Sequence, residues 1–285
     1  MKQLYKILVV VILLVSVSCK NSNENDSTKK KSLKIVSLGG SITENIYDLG
    51  LGDSIVAVDI TSSYPEAVKL KNQLGHSSGI TTESIMSQKP NIVILFKNSF
   101  SQNNIDVLRS MDVRVLEFDK PTTFNEGLVF IQALGDSLNK SEKATEICLG
   151  INKSLDSITK VASNVMFIYS RGPGTLLVSG TETSSSMFIE LAGGNNAITG
   201  YTGYKPLTPE ALVESNPDVF LFFKEGLESI GGVNGVSTIP GMELTNGYKL
   251  KNIYAVPANE MANFSKRYPV ALLRMNKVLL SISKS

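Results

Sequence analysis

After residue 32 the chain alternates short apolar runs with helical patterns. Leu33–Leu38, Ser54–Asp59, Asn91–Leu95 and Arg114–Phe118 read as strands, each followed by a turn or a helical stretch. Mostly unbroken apolar runs of this length are the signature of strands covered on both faces, so they predict parallel α/β units. A second series follows at Val165–Ser170, Leu176–Ser179, Val219–Phe223 and Ile253–Val256. Between the two series, Thr123–Ser163 contains no proline. Leu128, Ile131, Leu134 and Leu138 recur there at helical spacing, as do Ile147, Ile151, Leu155 and Ile158. The expected fold class is therefore α/β, with two Rossmann-like lobes over residues 33–122 and 164–285. A single long connecting helix over residues 123–163 joins them, with a possible break near Asn139.

The first residues have a different character. Lys2 and Lys6 precede an apolar run from Ile7 to Val17 that is interrupted only by Ser16. The run is too short for a stable crossing of a ~30 Å hydrocarbon core and reads as a secretory signal peptide over residues 1–18. Ser16, Val17 and Ser18 then lead to Cys19, and small residues before a cysteine resemble a bacterial lipobox, although Ser16 stands where leucine is commonest. Lipidation of Cys19 is the expectation, with a plain signal peptide and a chance cysteine as the alternative. Lys20–Lys31 contains only Lys, Asn, Ser, Glu, Asp and Thr. Residues 19–32 thus form a solvated, lipidated tether with nothing to bury.

Composition narrows the chemistry. The 285 residues are 42% hydrophobic and 19% charged, enough for a large core and about two domains. A net charge of +2, from 28 basic and 26 acidic residues, offers no nucleic-acid surface. One histidine and two cysteines exclude a zinc site of the usual His/Cys kind. With Cys19 assigned to the lipid, Cys148 lies in an apolar-periodic stretch and reads as an inert core thiol. His76 follows a turn among polar neighbours and reads as a surface or cleft-rim residue. Gly39-Gly40-Ser41 before a helix could cradle an anion through backbone amides. It lacks the Lys-Ser/Thr of a P-loop, and Thr43 breaks a G-x-S-x-G elbow. An exported hydrolase or redox enzyme is the rival these absences weigh against, so no catalytic residues and no enzymatic cofactor are expected.

The two lobes share a phrase. Thr82-Glu83-Ser84-Ile85 leads to Lys89-Pro90-Asn91 and a buried strand, and Pro209-Glu210-Ala211-Leu212 leads to Asn216-Pro217-Asp218 and another. In both, glutamate precedes proline by seven residues. A threonine-capped helix with glutamate in its first turn explains the local pattern. The recurrence also offers one carboxylate per lobe, Glu83 and Glu210, to two basic sockets of a dimeric partner.

These features resemble the substrate-binding proteins of bacterial iron-chelate, cobalamin and haem ABC importers, over nearly the whole chain from Lys34. The opening phrase Ile35-Val36-Ser37-Leu38-Gly39-Gly40-Ser41-Ile42-Thr43-Glu44, then Leu49-Gly50-Leu51-Gly52-Asp53, carries the likeness. Thr61-Ser62-Ser63-Tyr64-Pro65-Glu66, Leu191-Ala192-Gly193-Gly194-Asn195-Asn196 and Gly203-Tyr204-Lys205-Pro206-Leu207 bring it nearest to the haem-binding periplasmic lipoproteins. The resemblance implies a ligand cleft between the lobes. It implies haem as the transported ligand, and Glu83 and Glu210 docked on arginines of an ABC permease dimer with its ATPase. It also implies an exported monomer on the periplasmic side, lipid-anchored to a bacterial membrane. Tyr64 would be the axial ligand of the haem iron, a phenolate suited to ferric haem. Arg171 would stabilise the phenolate or pair with a propionate, Lys205 would meet a propionate, Tyr204 would face the cleft, Arg267 would lie near it or cap the last helix, and Gly40 and Ser41 would contact the ligand. With no histidine near Arg171, five-coordinate haem on Tyr64 alone is expected. The alternative is a ferric-siderophore or cobalamin binder on the same scaffold, with Tyr64 only stacking.

Overall fold

A computed structural model describes residues 32–283; the signal, most of the tether and Cys19 lie outside the described residues. The first lobe runs β1 (Ile35–Leu38), α1 (Gly40–Asp48), β2 (Ile55–Val58), β3 (Asn72–Gln73), α2 (Thr82–Met86), β4 (Ile92–Phe96), α3 (Gln102–Ser110) and β5 (Arg114–Phe118). Its strands are all parallel, in the order β3-β2-β1-β4-β5. Ile35, Ile92 and Ile94 point into one core, whereas Val36, Leu38, Val93 and Leu95 point into the other. Successive side chains alternate between faces and both faces are covered, which is why the runs carry no polar alternation. Burying each such side chain contributes about 1.5–3 kcal/mol. The chain passes from β1 to β2 on one side and places β4 on the other. Strand order therefore reverses between β1 and β4, and a crevice opens beyond their carboxyl ends.

The connector departs from the expected single helix. It is two helices, α4 (Phe124–Ser137) and α5 (Ser141–Leu155), packed on one another. Thr123 caps α4: its Oγ1 accepts from the Glu126 amide at 3.3 Å, and the Glu126 carboxylate accepts from the Thr123 amide at 3.2 Å. The break falls at Asn139, whose φ of 56° is left-handed and ends the helical run. The Thr145 hydroxyl then donates to Gln132 at 3.0 Å across the pair. Phe130, Ile131, Leu134, Ala144, Ile147 and Ile151 pack on the first lobe's core. Cys148 sits half-buried between the two helices with its Sγ 3.5 Å from the Leu128 carbonyl, and burial pushes its thiol pKa up.

The second lobe runs β6 (Asn164–Ser170), β7 (Leu176–Ser179), α6 (Ser184–Leu191), β8 (Asn195–Asn196), β9 (Tyr204–Pro206) and α7 (Pro209–Ser215). It continues through β10 (Val219–Phe223), α8 (Lys224–Ser229), α9 (Gly232–Gly235), α10 (Asn246–Lys249), β11 (Ile253–Val256), α11 (Ala258–Ala262) and α12 (Arg267–Ile282). The sheet order is β11-β10-β6-β7-β9, with β8 beside the start of β6. This sheet is mixed rather than parallel throughout, because β7 runs antiparallel to both β6 and β9. Residues 171–175 are too few for a parallel crossover and allow only a reversal. Tyr204 and Lys205, read from sequence as a loop, belong to the three-residue strand β9. α12 buries Tyr268, Leu272, Met275 and Leu279 in this lobe's core.

Candidate ligand cleft between the lobes

A cavity of about 510 Å3 lies at the strand-order reversal, between the segments that leave β1 and β4. Leu38, Ile80, Phe96 and Phe100 give it apolar walls from the first lobe, and Ala258 and Ala262 of α11 close it from the second. That size and lining suit a small-molecule ligand. Lys97, directly after β4, and Lys120, two residues after β5, also line it. Lys97 pairs with Asp119 at 2.8 Å, both exposed.

The floor is built on Asp59, only 4% exposed at the end of β2. Its carboxylate accepts from the Gly39 amide at 3.1 Å, the Thr61 hydroxyl at 2.7 Å and the Ser62 hydroxyl at 2.8 Å. The Gly40 amide donates to Thr61 Oγ1 at 2.9 Å. Gly40 and Ser41 line the cavity, yet the amides of Gly39 and Gly40 are already engaged. The anion at the start of α1 is the protein's own carboxylate. Glycine at 40 has a packing reason, since an added Cβ would stand 2.6 Å from the Thr61 carbonyl oxygen and 3.0 Å from Asn263 Nδ2.

Tyr64 stands beside this cavity and does not line it. The ring is 42% exposed, and the Tyr64–Pro65 bond is cis. The preceding Ser63 accepts from Asn259, a cavity-lining residue, at 2.8 Å. The Arg267 guanidinium lies 3.9 Å from the Tyr64 ring centroid. Arg267 is not a free cation waiting for a ligand, because it is held by buried Glu44 of α1 through Nε at 3.1 Å and a terminal nitrogen at 2.5 Å. In the sequence Glu44 looks like the solvent side of a short helix, because the partner that buries it is 223 residues away.

The other expected contacts are dispersed. Arg171 is exposed, with its guanidinium 5.6 Å from the Tyr169 ring centroid. Tyr204 joins an aromatic cluster with Phe167 and Tyr169, and its hydroxyl is 2.8 Å from Ser185 Oγ. Lys205, the next residue of β9, points to the opposite face, where its ammonium lies 4.2 Å from the Tyr201 ring. The alternation of a strand separates the two residues that a loop reading had joined. None of Arg171, Tyr204 or Lys205 lines the 510 Å3 cavity. His76 is exposed, as read from its neighbours.

A second chamber of about 850 Å3 adjoins the first and shares Lys120, Pro121 and Ala262 with it. Thr122 and Thr123, where the first lobe meets the connector, line this space together with Thr183, Ser186 and Met187 of the second lobe. Sequence reasoning missed Lys97, Lys120, Phe96 and Phe100. They lie at or just beyond the carboxyl ends of β4 and β5, where the strand order points. Glu83 and Glu210 are both exposed at the second position of helices capped by Thr81 and Thr208, whose hydroxyls accept at 3.1 and 3.2 Å.

The periplasmic binding protein profile matches residues 35–260. An uncharacterized ABC transporter substrate-binding lipoprotein of Bacillus subtilis, YvrC, is 29% identical over 68% of this chain and 64% of its own length. The vitamin B12-binding protein of Yersinia pestis is 27% identical over 57% of this chain and 59% of its own. The chain thus spans somewhat under two thirds of these curated relatives. Among solved structures, the apo periplasmic heme-binding protein RhuT of Roseiflexus sp. RS-1 superposes with a TM-score of 0.80 at 28% identity, covering 88% of this chain and 99% of that one. With two lobes, a cleft at the strand-order reversal and a profile match across most of its length, the chain belongs to the periplasmic binding protein family.

Proposed function

We propose that this protein is the substrate-binding lipoprotein of an ABC importer, anchored through Cys19, and that it captures haem between its lobes for delivery to the permease. It binds its ligand and catalyses no reaction. The observation that carries the reading is Tyr64, half exposed beside an apolar-walled cavity with the Arg267 cation against its ring. Haem would supply ferric iron to the phenolate oxygen. The apolar walls would cover porphyrin carbon, and Lys97 and Lys120 at the rim would meet propionates. The heme-binding relative at 28% identity supports this ligand.

Titration of the purified protein with hemin tests the reading. The expected result is a charge-transfer band that Tyr64→Phe abolishes, with affinity lower by at least about tenfold, or 1.4 kcal/mol. Unchanged affinity and spectrum in that variant would overturn the assignment. A second reading has its own support. Tyr64 does not line the main cavity, two lysines do, and one group of relatives is named for vitamin B12. A corrinoid or an anionic ferric siderophore would then occupy the cavity with Tyr64 stacked at its edge. Competition among hemin, cobalamin and ferric siderophores separates the two, because only haem binding should depend on the Tyr64 hydroxyl.

A further inference from the structure

Glu44 is 3% exposed on α1 of the first lobe, yet its hydrogen-bond partners come from the segment after β11. Its carboxylate accepts from Asn263 Nδ2 at 2.8 Å, Ser265 Oγ at 2.7 Å, and Arg267 at 3.1 and 2.5 Å. Neighbouring residues repeat the pattern. Asn45 donates to the Phe264 carbonyl at 2.8 Å, and Asp48 accepts from the Lys266 amide at 3.3 Å. The segment that receives these bonds continues directly into α12, which is embedded in the second lobe's core. The covalent connector crosses between the lobes through α4 and α5. Residues 259–267 therefore make a second, noncovalent crossing, and Glu44 is its centre.

We infer that the Glu44–Arg267 pair is a latch that holds the lobes in their ligand-retaining arrangement and seats Tyr64, so that parting it loosens the ligand. The inference rests on the haem reading for its ligand. Both Glu44 and Tyr64 belong to the first lobe, whereas Arg267 begins the last helix of the second. Two nitrogens of the guanidinium engage the Glu44 carboxylate, which fixes the plane of the fork. The remaining terminal nitrogen lies 3.5 Å from Glu260. So held, the guanidinium carbon lies 3.9 Å from the Tyr64 ring centroid. If the lobes part, Arg267 leaves Glu44 and Tyr64 in one movement. A buried carboxylate stripped of its cation is strongly unfavourable, so the latch has closed and open states with little between them. Glu44 and Arg267 are positioning residues on this account.

Amide exchange read by mass spectrometry on the full-length protein in detergent tests the latch without any ligand. Glu44→Gln and Arg267→Lys should each speed exchange in α1 and in residues 259–267 by about tenfold or more, with β4 and β10 unchanged. Arg274→Gln, which removes only an exposed partner of Glu260, should leave both segments at the wild-type rate. With hemin bound, release should be about tenfold faster in both latch variants, and the charge-transfer band weaker. Wild-type exchange in both segments of both variants would overturn the latch. So would wild-type hemin release in a protein whose affinity still depends on Tyr64. If Glu44→Gln fails to fold, Arg267→Lys carries the same measurements. If Tyr64→Phe leaves hemin binding untouched, the ligand reading fails instead, and the exchange result alone decides the latch.

Discussion

Asp48, one turn after Glu44 on α1, lies at the same lobe junction, where burial raises its carboxyl pKa. The Lys266 amide and ammonium pull it down by less, and nearby Glu44 adds to the rise. For an acid whose folded pKa lies above its unfolded value, the favourable contribution is present at low pH. It is lost as pH rises through the folded value. At pH 7 the ionised, poorly solvated carboxylate is therefore a burden. Asp48→Asn keeps an oxygen for the Lys266 amide and removes the charge. Urea melts should give this variant a higher midpoint than wild type at pH 7, with the difference vanishing below about pH 4. Asp59 makes the opposite case. It is buried and accepts three hydrogen bonds, and Asp59→Ala strands the Gly39 amide and two hydroxyls beneath the cavity. A loss of about 3 kcal/mol is expected, read from the urea midpoint at unchanged slope. Neither residue announced these roles in the sequence. Asp59 looks like the polar end of a strand, and Asp48 and Glu44 look like the solvent side of a short helix. Glu44 and Asp48 are covered by a segment more than two hundred residues downstream, which no local pattern records.

Elements were more legible than residues, to the extent that a pattern had room to repeat. β5, β7, β10 and β11 match their expected bounds, and the other expected strands are displaced by a residue or two. β3, β8 and β9 are two or three residues long, too short for alternation to show. The connector was legible as helix but not as a hairpin, because the apolar spacing continues on both sides of Asn139. The geometry there rests on two positions. An added Cβ at Gly135 would lie 2.4 Å from the Ala144 methyl, so Gly135→Ala should wedge α4 from α5. That overpacking should cost about 1–3 kcal/mol. At Asn139, with φ 56°, alanine should cost about 1 kcal/mol for its left-handed backbone, whereas glycine should be near neutral. Thermal melts of the three variants check both, and equal effects of alanine and glycine at 139 would show that the turn is not what strains the chain.

At the scale of the whole molecule, the two-lobe plan was legible because each lobe repeats the same strand–helix grammar, and the repeat extends to the surface. A helix preceding a parallel strand runs back along the sheet, so its first turn lies at the strand's carboxyl edge. α2 precedes β4 and α7 precedes β10, which directs Glu83 and Glu210 towards the carboxyl edges of their sheets, the edge that bears the cleft. Among the described residues neither carboxylate forms an ion pair, so both are available to a basic partner. A permease dimer with one socket per subunit would engage both at once, and two tethered contacts bind far more tightly than either alone. The double variant Glu83→Lys/Glu210→Lys should therefore lose at least about tenfold in ligand-dependent stimulation of the partner ATPase, with each single reversal intermediate. Lysine in a helix's first turn opposes the dipole and should lower stability by only about 0.3–1 kcal/mol per site. Hemin affinity should stay within about twofold of wild type, because neither residue lines either chamber of the cleft. An ATPase response that survives the double reversal at intact hemin affinity would remove these two carboxylates from the docking surface. A parallel fall in affinity would instead place them at the ligand.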